Sequence, residues 1–178
     1  MPASVRKCAI MKRPAVFFDR DGVLNEDIGY LYERAKFRWT PGAREAVKAV
    51  NDAGYLAFVI TNQSGVARGL YKEADILALH AWMAEELAEI GARIDAFEYC
   101  PHHPEAIVEL YRRSCTCRKP GPGMITTLME RFQVDPNRSF LIGDKLTDIE
   151  AATAAGIGGY LFDGSDLEHF VKSRLHNR

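Results

Sequence analysis

The sequence lacks any apolar run that approaches the length of a bilayer-spanning helix, so a helical membrane protein is excluded at the outset. It also lacks a surplus of either charge. Its 23 basic and 24 acidic residues leave a formal net charge of −1, and bulk attraction to nucleic acid is not expected. Internal repeats, low-complexity tracts and Gly-, Pro- or Ser-rich linkers are missing too. With 178 residues and 47% hydrophobic content, the chain fits one domain with its own core. Residues 1–14 carry Arg6, Lys7, Lys12 and Arg13 and no acid, and they read as a flexible N-terminal extension to a single domain over 15–178. The only apolar stretch there, Cys8–Met11, is too short for a signal-peptide core. A cytoplasmic monomer with no membrane or nucleic-acid partner is expected.

Four cysteines without a leader argue against a disulfide framework. Three of them, Cys100, Cys115 and Cys117, fall close together beside His102 and His103. Three thiols and an imidazole in one excursion of the chain make a Cys₃His set, suited to a structural Zn²⁺. The spacing alone does not choose between the two histidines. Cys8 stands apart, and His80, His169 and His176 read as structural or surface residues.

Apolar runs alternate with helical patterns. Ala15–Phe18, Tyr55–Ile60, Ile94–Tyr99, Ser139–Ile142 and Gly159–Phe162 read as strands, several of them continuously apolar, as in parallel sheets buried on both faces. Helices are expected from Pro41-Gly42 to about Ala53, over Glu73–Ile90, Pro122–Phe132 and Lys145–Ala155, and from Asp166. The alternation implies an α/β fold with a doubly wound parallel sheet. Little chain separates the first two strands, so no separate cap domain fits there. Loops Glu26–Trp39 and His102–Cys117 are left to shape the mouth.

Four signatures sit at strand ends or loop-to-helix junctions: FFDRDGVLN (17–25), VITNQSG (59–65), CRKPGPGM (117–124) and FLIGDKLTD (140–148). They gather polar residues at one edge of the sheet, where open α/β proteins bind ligands. Asp19 is placed to attack phosphorus as a carboxylate nucleophile. Asp21, beyond the turn at Gly22, is placed as general acid and then general base. Thr61 offers a hydroxyl to phosphoryl oxygens and Lys119 a positive charge. Asp144 and, one helical turn later, Asp148 bring hard oxygen donors that suit Mg²⁺. Any one of these residues is commonplace; their joint occurrence in this order describes a phosphoryl-transfer site.

The order and residue types resemble the haloacid dehalogenase-like phosphohydrolases. The resemblance implies a capless, Rossmann-like phosphatase domain with Asp19 as nucleophile, Asp21 as acid/base, and Thr61 and Lys119 holding phosphate. It implies Mg²⁺ held by Asp19, the Asp21 carbonyl and Asp144, with Asp148 behind them. DRDGVLN, TNQSG, YCPHHP, CTCRKPGPGM and GDK resemble more narrowly the heptose 1,7-bisphosphate 7-phosphatases, with the zinc-bearing histidinol-phosphate phosphatases next. That likeness selects Cys100, His102, Cys115 and Cys117 as Zn²⁺ ligands. It also implies substrate contacts at Asp27, Ile28, Gly29, Tyr30, Thr61, Asn62, Gln63, Ser64, Arg118, Lys119 and Lys145, for a small phosphorylated sugar. Arg118 and Lys145 are cations to spare for a second phosphate, whereas the amine of histidinol phosphate would be poorly matched by them. The segment Gly156–Phe170 departs from the basic, Thr-Gly-containing tail of well-matched members.

Overall fold

The computed structural model describes residues 12–176. The expected flexible extension therefore falls mostly outside the described residues, as does Cys8. Just ahead of the sheet, the Arg13 carbonyl accepts the Asp135 N–H at 2.9 Å.

Five strands, β1 (Ala15–Phe18), β2 (Leu56–Asn62), β3 (Ala96–Cys100), β4 (Phe140–Gly143) and β5 (Gly158–Leu161), form one all-parallel sheet in the order β3-β2-β1-β4-β5. Helices α1 (Ala43–Asp52), α2 (Glu73–Ala88), α3 (Gly123–Phe132), α4 (Leu146–Ala154) and α5 (Leu167–Leu175) cover it. The period of two in β1 divides the core. Val16 and Phe18 face one cluster, with residues of α1, α2 and α5; Ala15 and Phe17 face the other, with residues of α3 and α4. Burial on both faces is why these strands read as unbroken apolar runs.

The chain leaves β1 toward β2 and β3, then returns to add β4 and β5 on the other side. β1 is thus the switch point, and a crevice opens beyond its C-terminal end, next to β4. Asp19 follows β1 and Asp144 follows β4, while Thr61 lies near the end of β2. Between β1 and β2 the described elements are α1 and a short 3₁₀ turn, so the site carries no cap domain.

Several boundaries differ from the sequence reading by one or more residues, three of them instructively. β2 runs on through Asn62, because Thr61 and Asn62 still pair with Tyr99 and Cys100 of β3. β3 starts later than Ile94, because Asp95 is occupied in closing the edge: its N–H donates to the Ala57 carbonyl and its carboxylate accepts the Ala57 N–H. Ile90 lies past α2, in the turn that Gly91 closes with φ +69°.

His80 of α2 is a buried residue, not a surface one. Its ring stacks on Phe97 of β3 with centroids 4.6 Å apart, and its Nε2 lies 3.5 Å from the Arg20 guanidinium. Burial, then the Arg20 charge, pushes its pKa down to about 3. The folded protein thus binds this proton less well than the unfolded chain does. Its stability should be intact above the ordinary histidine value and fall as pH drops from about 6.5 toward 3, by up to ~1.4 kcal/mol per unit. Urea midpoints at pH 7 and pH 5 should separate for the wild-type protein and converge for His80→Phe; an unchanged separation in the variant would assign the acid sensitivity elsewhere.

Candidate active site and metal centre

Asp19, Lys119 and Asp148 form the centre of the site. The Lys119 ammonium lies 2.8 Å from Asp19 Oδ1 and 2.6 Å from Asp148 Oδ1, and it donates to the Ile60 carbonyl at 3.3 Å. All three side chains are at least nine-tenths buried. Burial opposes the Lys119 charge, but the two carboxylates outweigh it and hold its pKa above the usual lysine value. Burial pushes the Asp19 carboxyl up to about 7 against the pull of Lys119, with Asp148 and Asp21 adding repulsion.

Asp144 completes a group of three acids whose donor oxygens lie within 4.8 Å of one another. Its Oδ1 is buried and has no hydrogen-bond partner, while Oδ2 stands 3.7 Å from the Lys145 ammonium. Burial raises its pKa. Three crowded carboxylates, one orphaned oxygen and a single buried ammonium leave the cluster short of positive charge. Hard oxygen donors in that state fit a Mg²⁺ ion. Gly22 permits the approach: at φ +89°, a Cβ there would sit 2.3 Å from Asp144 Oδ2.

Asp148 holds two partners at once. Its second oxygen accepts the Lys145 N–H at 3.0 Å and so caps α4 while the first holds Lys119. Asp21 is held as tightly. Its carboxylate accepts from Arg20 Nη2 at 3.0 Å, Asn25 Nδ2 at 3.0 Å and Gln63 Nε2 at 2.9 Å. Sequence reasoning gave no role to Arg20 or Asn25. Both are completely buried, and a long cation in a buried position has no local signature that sets it apart from a surface charge.

Among the expected substrate contacts, Asp27, Tyr30, Thr61, Ser64, Arg118, Lys119 and Lys145 line one open pocket of about 350 Å³. Ile28 is exposed on the loop between Asp27 and Tyr30, which turns at Gly29 (φ +71°) and Tyr30 (φ +49°). Asp27 reaches across the mouth to Lys145 at 3.1 Å. Partial burial opposes its charge, but the Gly29 N–H and Lys145 outweigh this and hold its pKa below the usual carboxylate value. Asn62 and Gln63 line the same pocket, while their side-chain amides are engaged within the protein. The Asn62 amide grips the Lys119 backbone at both ends, donating to its carbonyl at 3.1 Å and accepting its N–H at 3.0 Å. That of Gln63 bonds Asp21, Thr61 and Tyr71.

At the end of β3, the Cys100, Cys115 and Cys117 sulfurs lie 3.0–3.5 Å apart, with His102 Nδ1 3.4 Å from Cys117 Sγ. The structure distinguishes the histidines: His103 Nδ1 instead accepts the Glu105 N–H within its own turn. Three sulfurs and one nitrogen in a knot of this size fit Zn²⁺. The knot is continuous with the pocket through Arg118, whose guanidinium donates to the His102 carbonyl at 3.4 Å.

A family model described as HAD-hydrolase-like matches residues 116–165, which span Cys117, Lys119, Asp144 and Asp148. Over 164 residues the chain is 53% identical to D-glycero-β-D-manno-heptose-1,7-bisphosphate 7-phosphatase of Rhodopseudomonas palustris, covering 92% of this chain and 91% of that one. The chain belongs to this family of haloacid dehalogenase-like phosphatases. The Escherichia coli K12 protein of the same name is 43% identical over 145 residues, 82% of this chain and 76% of that one. A solved structure of D,D-heptose 1,7-bisphosphate phosphatase from B. bronchiseptica, complexed with magnesium and phosphate, superposes with a TM-score of 0.81 at 31% identity, covering 93% of this chain and 99% of that one. Among the described residues, no helix is long and apolar enough to cross a membrane.

Gly22→Ala should push Asp144 aside and cut kcat/KM at least about tenfold, with a higher Mg²⁺ concentration needed for half activity. A lower Tm with an unaltered Mg²⁺ requirement would mean that Gly22 serves only the turn. Elemental analysis of purified protein should find about one zinc per chain, and Cys115→Ala should lose it together with Tm and activity. Zinc-free wild-type protein of full activity would contradict this.

Proposed function

We propose that the protein removes the 7-phosphate of D-glycero-β-D-manno-heptose 1,7-bisphosphate, as a cytoplasmic, monomeric, Mg²⁺-dependent phosphomonoesterase working through an aspartyl-phosphate. The observation that carries the reading is a reacting centre of Asp19, Asp21, Thr61 and Lys119 sharing one pocket with a second cationic edge, Arg118 and Lys145. A bisphosphate gives that edge an anion to hold; a monophosphate does not. The name borne by the 53% identical relative supports the same substrate and its β anomer.

In this mechanism an Asp19 oxygen bonds to phosphorus as the ester O–P bond breaks, and Asp21 gives a proton to the leaving sugar oxygen. Asp21 then takes a proton from the water that attacks the aspartyl-phosphate, which returns Asp19. The Thr61 hydroxyl and the Lys119 ammonium stabilise the transferring oxygens. Asp19, the Asp21 carbonyl and Asp144 would hold Mg²⁺, which supplies further positive charge to those oxygens. Lys119 is already positioned by Asn62 and Asp148 before substrate arrives.

Measured kcat/KM should rank the β heptose bisphosphate above its α anomer and both above histidinol phosphate. Arg118→Ala should lower the value for the bisphosphate about 10- to 100-fold, the worth of one charge-assisted contact, while changing a small monophosphate little. Lys119→Ala should impair both. A parallel fall for both substrates in Arg118→Ala, or a preference for histidinol phosphate, would displace the sugar-bisphosphate reading.

A further inference from the structure

Tyr71 lies on no signature used above, yet its hydroxyl ends a directed chain of hydrogen bonds leading into the reacting centre. The hydroxyl donates to Gln63 Oε1 at 2.7 Å. On the other side of the same amide, Nε2 has two hydrogens and two acceptors: Asp21 Oδ2 at 2.9 Å and Thr61 Oγ1 at 2.8 Å. While Asp21 is ionised, turning the amide over would aim its carbonyl oxygen at a carboxylate, so in that state the direction of every bond is set. Because Thr61 Oγ1 accepts from Gln63, its own O–H is left to donate into the pocket that it lines. A hydroxyl fixed as a donor in advance is what a phosphoryl oxygen requires.

Three further observations bear on this chain. Gln63 is 2% exposed and Tyr71 7%, so water competes poorly for the bonds between them. Burial raises the Tyr71 pKa to about 12, which keeps its proton in place. The Tyr71 ring also lies on the bare backbone of Gly65: a Cβ there would come within 2.2 Å of the ring, so the glycine of TNQSG is the space that Tyr71 occupies.

We propose that Tyr71 is a positioning residue for the reaction, acting through Gln63 to aim the Thr61 hydroxyl into the pocket and to fix Asp21 beside it. The inference rests on the phosphate-ester hydrolysis proposed above, but not on the heptose assignment. It makes the Gln63 side chain the link between acid/base and phosphate holder.

The test is a double-mutant cycle of Tyr71→Phe and Gln63→Met. Its substrates are p-nitrophenyl phosphate and any sugar phosphate that the wild-type protein hydrolyses, so failure of the heptose reading leaves the result readable. Tyr71→Phe keeps the ring and its packing on Gly65 and removes one hydroxyl. It should leave Tm nearly unchanged, lower kcat for the sugar phosphate about five- to tenfold and move KM less than about twofold. In the Gln63→Met background, the same change should make no further difference, since the link it acts through is gone. Wild-type kcat in Tyr71→Phe, a rise in KM alone, or additive losses in the double variant would overturn the proposal.

Discussion

One buried ammonium among carboxylates organises this protein. Lys119 meets Asp19 and Asp148 at the C-terminal edge of the sheet, with Asp144 close by. Burying such charges costs several kcal/mol per ion unless geometry and hydrogen bonding compensate, so the arrangement persists only if the surrounding chain over-determines it. It does so from several directions. The Asn62 amide clamps the Lys119 backbone, Asp148 is fixed as the cap of α4, and Gly22 gives up a side chain so that Asp144 can approach. The cluster's remaining deficit of positive charge is the physical reason a divalent cation belongs there.

The sheet that carries this cluster was legible because strands buried on both faces must be nearly all apolar, and their polar successors must then stand at the sheet's edge. Asp19, Thr61 and Asp144 were found that way. The second use of each polar group was not legible. Asn62 and Gln63 look like exposed loop amides in sequence, yet they turn inward to Lys119 and Asp21, partners 57 and 42 residues away. Arg20 and Asn25 sit inside a quoted signature without declaring that they grip Asp21. Tyr71 has no local pattern at all; only the packing of its ring on Gly65 places it. Spacing alone left His102 and His103 open; the family likeness favoured His102, and the turn that engages His103 with Glu105 supplies a physical reason.

The cysteine knot belongs to the same constraint. Cys117 precedes Arg118 and Lys119 in the chain, so whatever fixes the sulfurs fixes the backbone that delivers both cations. Apolar packing does little for this loop: Ile107 and Leu110 are 75% and 73% exposed. A tetrahedral Zn²⁺ centre there would supply rigidity where burial cannot, because bond geometry replaces packed area. Glu73 ties the outer side of the loop to the domain, accepting from Tyr111 at 2.7 Å while it also accepts from Tyr99 of β3 at 2.6 Å.

The openness of the mouth then follows as a functional choice. Phosphoryl-transfer enzymes that hand the group to a second organic acceptor must shield the aspartyl-phosphate from water, usually under a mobile cap. Among the described residues there is no cap, and the site is bordered by short loops joined across the mouth by the Asp27–Lys145 contact. An open mouth of this kind suits the proposed hydrolysis, in which water is the second acceptor. A capless site forgoes the closure that elsewhere aligns catalytic groups at the moment of binding. The proposed acid, phosphate holder and lysine must therefore stand aligned beforehand, and the internal amides meet that need: that of Asn62 holds Lys119, and that of Gln63 holds Asp21 and Thr61.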